Sequence, residues 1–218
     1  MLNILYEDNH IIVVVKPRGV LSQADGSNKP DMLTIIKDYI KEKYNKPGNV
    51  YLGLLHRLDI NTMGVMIFAK TSKAASRVSE DIKKHDFIKK YLATVEGTLD
   101  NKEYVLLEDK ISKDEKIRKA YLDNNGQIAK LEYKAIKNYK IGNTLVTDLD
   151  IILHTGRFHQ IRCQMANMGH PLYGDTKYGS HNKVDDDEFP LVAYHLEFKH
   201  PISKEIMKFE IWKRVLWI

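Results

Sequence analysis

The run Leu54-Leu55-His56-Arg57-Leu58-Asp59-Ile60-Asn61-Thr62-Met63-Gly64 places a carboxylate two residues after an arginine, in a turn between two apolar stretches. A carboxylate held at the end of apolar scaffolding can serve as a general base or a nucleophile, provided it is ionised. The plainer alternative is a turn carboxylate that accepts from the amides of Asn61 or Thr62. Arg162 is the second group with chemical potential, because it shares a helical face with Phe158, Ile161 and Met165. A guanidinium on an apolar stripe either reaches water at the helix edge or meets a carboxylate, and a bidentate pair would keep that carboxylate charged at neutral pH. Asp59 is the partner the sequence suggests. His154, His159 and Cys163 also lie close together, with His159 and Cys163 at the i, i+4 spacing of two helix ligands. A further ligand at matching spacing is absent, so no metal site is expected there.

The elements that must position these groups follow from periodicity. Ile11 to Val15 is a continuous β-branched run ended by Lys16-Pro17, the pattern of a buried strand. Asp31 can cap a helix with Leu33, Ile36, Tyr39 and Ile40 on one side, stopped by Pro47-Gly48. Val65 to Ala69 reads as a second buried strand, and Ser72 opens a helix carrying Ala75, Val78 and Ile82. Alternation then takes over. Tyr91, Ala93 and Val95, then Ala129, Leu131, Tyr133 and Ala135, then Leu145 through Leu153, each mark one face of a half-buried strand. Gly97, Asn125-Gly126 and Gly142-Asn143 supply the turns. A short helix from about Phe158 to Met168 is ended by Gly169, and strands near Leu191 to Phe198 and Ile206 to Trp212 close the chain. Between those strands Ser180 to Phe189 is polar, with the acidic run Asp185-Asp186-Asp187-Glu188, and reads as an exposed loop. The expected class is α+β: a large, mostly antiparallel or mixed sheet flanked by a few helices and loops.

Composition limits the alternatives. With 43% apolar and 29% charged residues over 218 positions, the chain is expected to fold as one soluble domain, residues 1–218. Neither a membrane-length apolar run nor an export signal is visible. A single cysteine, Cys163, fits a reducing, cytoplasmic setting. A net charge of +5 modestly favours approach to a polyanion.

His56-Arg57-Leu58-Asp59 with Thr62, Gly64 and Phe68-Ala69-Lys70 resembles the signature around the catalytic Asp of RluA-type RNA pseudouridine synthases. Lys16-Pro17-Arg18-Gly19 is similar to that family's opening element, and Lys90-Tyr91-Leu92-Ala93 with Val95 and Gly97 to its tyrosine strand. Gly156-Arg157-Phe158-His159-Gln160-Ile161-Arg162, then Gly169-His170-Pro171, Gly174-Asp175 and Tyr178-Gly179, resembles its arginine helix and following loop. Ala193, Leu196, Phe198, His200 and Pro201 fit its closing strand. The likeness runs in order from about residue 4 to residue 212 and is to a short form without the N-terminal S4 RNA-binding module.

The resemblance implies a cofactor-free isomerase acting on ribosomal or transfer RNA, with no role for DNA or membrane and with monomer as the default state. Asp59 is then the catalytic carboxylate, Tyr91 packs on the target uracil and Arg162 pairs with Asp59. Arg57 helps displace the base, and His56, Thr62, Lys90, Arg157 and His159 are further RNA-contacting or base-flipping candidates. Taken alone, Tyr91 is better read as an ordinary strand aromatic in the core. The chemistry fits one carboxylate. Uracil leaves as a resonance-stabilised anion, so the second carboxyl usual in glycoside hydrolysis is less necessary. The Asp can attack the anomeric carbon or remove a sugar proton to give a glycal. Met63, Gln164 and Val192 depart from the family pattern, where serine, histidine and histidine are common.

Overall fold

The computed structural model describes residues 2–84 and 86–211. Among them, in chain order, are β1 (Asn3–Glu7), β2 (Ile11–Lys16), α1 (Met32–Lys43), β3 (Gly53–Leu54), β4 (Met63–Ala69), α2 (Ser72–Lys83), β5 (Phe87–Glu96), β6 (Val105–Asp114) and β7 (Lys119–Leu122). They continue with β8 (Gln127–Ile141), β9 (Thr144–Leu153), α3 (Gln160–Asn167), β10 (Leu191–Lys199) and β11 (Ile206–Glu210). The class is α+β, as expected. The chain forms two compact units, one from residues up to Ile88 together with the segment beginning at Ala193, the other Lys89–Val192. Trp212, where the last strand was expected to end, lies outside the described residues. Among the described residues no helix is long and apolar enough to cross a membrane.

In the first unit β2 is antiparallel to both β1 and β4, β3 adds to β4, and β11 pairs with β10. The β-branched run of β2 is buried at every position, which is why its sequence shows no alternation. Ile11, Val13, Val65, Ile67 and Ala69 pack with Ala74 and Val78 of α2 and with Leu196 and Phe198. Asp31 caps α1 as read, accepting from the Thr34 amide at 3.1 Å and the Thr34 hydroxyl at 2.7 Å. α2 opens at Ser72, as expected. Thr71 caps it, accepting from the Ala74 amide at 3.1 Å. Gly64 opens β4 where a Cβ would stand 2.4 Å from the Ala193 carbonyl oxygen, so only glycine lets the two backbones approach.

The second unit is an antiparallel array in the order β5-β9-β8-β6-β7. β8 alternates as read, with Ala129, Leu131, Tyr133 and Ala135 buried. β5 and β9 do not. Every residue from Tyr91 to Val95 and from Val146 to Ile151 is buried, while Leu145, expected on the inner face, is exposed. The second face of these strands carries polar groups that hydrogen-bond to one another or to tyrosines. Asp148 accepts from the Thr94 hydroxyl at 2.8 Å and the Tyr139 hydroxyl at 3.1 Å, and Asp150 accepts from Tyr104 at 3.0 Å. Hydrophobic periodicity reads such a face as solvated. The polar segment from Ser180 is exposed through most of its length but anchored at its ends: Phe189 is buried, and the Ser180 hydroxyl donates to Glu96 and accepts from the Gly174 amide. β1, β3, β6 and β7 were not legible from periodicity; β6 is mostly exposed and its polarity follows no clean period.

Asp148 is fully buried, and burial pushes its carboxyl up from the ordinary 3.8 to about 6. The folded chain therefore holds this proton more tightly than the unfolded chain between about pH 4 and 6. Its contribution to stability is present below that window and lost as pH rises through it. Asp148→Asn keeps an acceptor for Thr94 and Tyr139 without the charge. The expected result is a gain of about 1–3 kcal/mol over wild type at pH 7 that vanishes near pH 4, read from urea midpoints at both pH values.

Candidate active site

Asp59 sits in the loop between β3 and β4, and the residues on either side of it are fixed from the segment after β2. On one side, Leu58 donates its amide to the Ser22 hydroxyl at 3.0 Å and receives that hydroxyl at its carbonyl at 2.8 Å. On the other side, the Ile60 carbonyl accepts from the Gly19 amide at 3.0 Å and from Lys16 Nζ at 2.9 Å. Lys16 is fully buried and also donates to the carbonyls of Pro17 at 2.9 Å and Val20 at 2.7 Å. Three acceptors around one nitrogen match the three N–H bonds of an ammonium. Burial pushes Lys16 down to about 7, opposed by the negative charge of Asp59. The main-chain carbonyl of Asp59 accepts from the Thr62 amide at 3.0 Å, so that amide is not the carboxylate's partner.

Arg57 is exposed in the same loop. His56 is turned to the backbone, its Nε2 accepting from the Ile67 amide at 3.2 Å and its ring edge-on to Phe87. Thr62 is buried, and its hydroxyl has no hydrogen-bond partner among the described residues. Met63 receives Arg18 Nη1 at its sulfur, at 3.9 Å.

The second unit carries Tyr91, Lys90, Arg157, His159 and Arg162. Tyr91 is buried on β5 opposite Ile151 of β9. The two-residue period of a strand turns Lys90 to the other face and gives Lys89 to the face of Tyr91. The cation of Arg162 meets the carboxylate its apolar stripe demands: Asp175, only 2% exposed, takes Nε at 2.7 Å on one oxygen and Nη2 at 2.9 Å on the other. The guanidinium carbon lies 4.9 Å from the centre of the Tyr178 ring and 5.4 Å from that of Phe189. Sequence reasoning placed Asp175 and Tyr178 only in a motif; their spacing from Arg162 follows no helical or strand period.

His159 completes this cluster. It precedes α3 in the left-handed region, φ 49°, which is unusual for a residue other than glycine. Its Nε2 lies 3.1 Å from Arg162 Nη1, which can only donate, so Nε2 is the bare nitrogen and Nδ1 carries the hydrogen. That N–H faces the Tyr178 hydroxyl oxygen at 3.0 Å, which also accepts from the Ala120 amide at 2.7 Å. Burial, then the charges of Arg162, Lys177, Arg118 and Lys113, hold the imidazole neutral, down to about 3. Both ring nitrogens of His159 are thus engaged within the unit. His154 faces Glu132 at 2.8 Å, and burial pushes the Cys163 thiol up to about 11, away from the thiolate a metal would need.

Arg157 donates Nε to the Ile128 carbonyl at 2.9 Å and is otherwise exposed. Gln164, where a histidine was anticipated, is fully buried and satisfied: it donates to Asp109 at 2.7 Å and the Ala129 carbonyl at 3.3 Å and accepts from Gln160 at 3.0 Å. Val192 is buried.

Removing one member of the Arg162–Asp175 pair should cost more than removing both. Asp175→Ala strands a guanidinium and is expected to lower stability by about 3–5 kcal/mol, whereas the double variant Arg162→Met with Asp175→Ala should lose less. Urea denaturation of the two variants and wild type measures the difference.

A profile of the family described as RNA pseudouridylate synthase matches residues 10–167. The chain is 31% identical over 224 residues to the ribosomal large subunit pseudouridine synthase D of Vibrio cholerae, covering 95% of this chain and 66% of that protein. It therefore spans about two thirds of that relative's length. To the tRNA pseudouridine synthase C of the same organism it is 30% identical over 237 residues, covering 99% of this chain and 95% of the relative. The solved structure of human RNA pseudouridylate synthase domain containing 1 superposes with a TM-score of 0.75 at 21% identity, over 98% of this chain and 84% of that one, a likeness of fold. The chain belongs to the RNA pseudouridylate synthase family.

Proposed function

We propose that this protein converts uridine to pseudouridine in a ribosomal or transfer RNA, with Asp59 as the catalytic carboxylate. The observation that carries the reading is the fixing of the Asp59 loop: main-chain clamps at Leu58 and Ile60, with the Lys16 ammonium close enough for its charge and that of Asp59 to act on one another. A turn carboxylate with no further task would not call for a buried lysine beneath it.

The reaction breaks the bond between uracil N1 and the sugar, turns the base and joins C5 to the same sugar carbon; C5 gives up its proton and N1 takes one up, so the product is an isomer. Whether Asp59 attacks that carbon or takes a proton from the neighbouring one, it must be ionised, and a nearby positive charge favours that state. In this reading Tyr91 is the ring on which the extracted base stacks, a contact worth about 1–3 kcal/mol, and Arg162 supports the negative charge of Asp59. Arg57, exposed two residues before Asp59, enters the stack in place of the flipped base. Single-stranded loops or bulges are the natural targets, because a regular A-form helix hides its base edges. A cytoplasmic setting goes with these substrates.

The test incubates purified wild type and Asp59→Asn with total RNA from cells lacking the gene and maps new pseudouridines by carbodiimide-dependent reverse-transcription stops. Wild type should produce discrete stops, and the variant should lose at least about 10²-fold in rate while still binding RNA. No stops from folded, RNA-binding wild type would instead make the protein a non-catalytic binder.

A further inference from the structure

Lys89 stands two residues before Tyr91 and, by strand periodicity, on the same face of β5. It is partly buried, and among the described residues it has neither a hydrogen-bond nor an ion-pair partner. Arg162, by contrast, holds Asp175, and Lys130 faces Glu108 at 2.8 Å. Burial alone pushes Lys89 down to about 8, with no carboxylate to oppose it, so it is still mostly charged at neutral pH.

The surroundings of this ammonium are open on one side. Nζ lies 3.5 Å from where a Cβ on Gly156 would stand, and outside the glycine's chain neighbours no other atom comes within 4 Å of that point. Gly156 thus leaves bare backbone beside the charge. The next residue, Arg157, uses Nε on the Ile128 carbonyl and turns the rest of its guanidinium to solvent. A desolvated cation without a counter-charge, facing a glycine and followed by an exposed arginine, is built to receive an anion.

We propose that Lys89, with the open backbone at Gly156 and the guanidinium of Arg157, binds a backbone phosphate of the RNA next to the uridine stacked on Tyr91. The inference rests on the pseudouridine synthase reading for the identity of the polyanion. A phosphate is charged before the reaction begins, so it offsets the desolvation of Lys89 in the bound complex. Uracil becomes an anion only in passing.

Wild type, Lys89→Met and Lys89→Arg are titrated with a fluorescent oligouridylate of about ten residues, a length within the range single-strand sites cover. Binding is followed by anisotropy between about 50 and 200 mM salt. Lys89→Met should weaken binding about 10-fold and make the plot of log affinity against log salt shallower by about 0.7, the loss of one phosphate contact on a single strand. Lys89→Arg should keep most of the affinity. Because methionine removes an unpaired charge, Lys89→Met should also melt at a higher temperature than wild type. Unchanged affinity and slope in Lys89→Met would overturn the proposal, as would a lower melting temperature, which would make Lys89 a structural residue. A slower rate at saturating RNA with unchanged affinity would overturn it too, moving Lys89 to the leaving uracil. If Lys89→Met loses affinity as stated but wild type installs no pseudouridine in the mapping experiment, the phosphate contact stands and the enzymatic reading falls.

Discussion

A single buried ammonium ties together the parts of the chain that present Asp59. Lys16 ends the most deeply buried strand of its unit and reaches three carbonyls, two in the segment just after it and one at Ile60, 44 positions along. Without that donor the carbonyls of Pro17 and Val20 would lose their bond to it, and Ile60 would keep only the Gly19 amide. The position of Ile60 is therefore set by the same charge that acts on Asp59. Ser22 repeats the device with a hydroxyl that both donates to and accepts from Leu58. Clamping through backbone fixes the segment that carries the side chain, to the tolerance a reacting group requires.

Arg162 is positioned by the opposite means, a closed set of side chains. Asp175 fixes the plane of the guanidinium, Tyr178 and Phe189 lie against it, and neutral His159 occupies Nη1. The neutrality of His159 is part of the arrangement. A protonated imidazole could not accept from Arg162 and would set two positive charges against each other. The left-handed backbone at His159 is strained for a side chain of this kind, and the bonds at both ring nitrogens hold it there. The bonds to Asp175 and His159 hold the guanidinium rigid.

Much of this was legible in the sequence, for definite physical reasons. β2 and β4 announce themselves because a fully buried strand must be apolar at every position, and α1 because Asp31 and its apolar spacing agree. Asp59 and Arg162 stood out because charged residues inside apolar patterns need an explanation. The failures share a cause as well. β5 and β9 looked half-buried because Thr94, Asp148 and Asp150 are polar, yet these residues are buried and hydrogen-bonded to one another or to Tyr104 and Tyr139. Periodicity measures polarity and cannot tell water from an internal partner. Asp175 was missed as the partner of Arg162 because it is fixed by a loop, where residue spacing carries no geometric information. Ser22 left no signal at all.

The charge balance bears on how such a protein grips RNA. A net charge of +5 gives a shallow long-range attraction and few counterions to release, so affinity cannot come from bulk electrostatics. It must come from a few placed contacts. Two of its buried cations are held internally, Lys16 by carbonyls and Arg162 by Asp175, so that these fix geometry. Charges left without an internal partner then carry disproportionate weight, because a desolvated cation interacts more strongly with an incoming anion than a hydrated one on the surface. Recognition built this way depends on where the phosphates lie and whether a base can leave its stack.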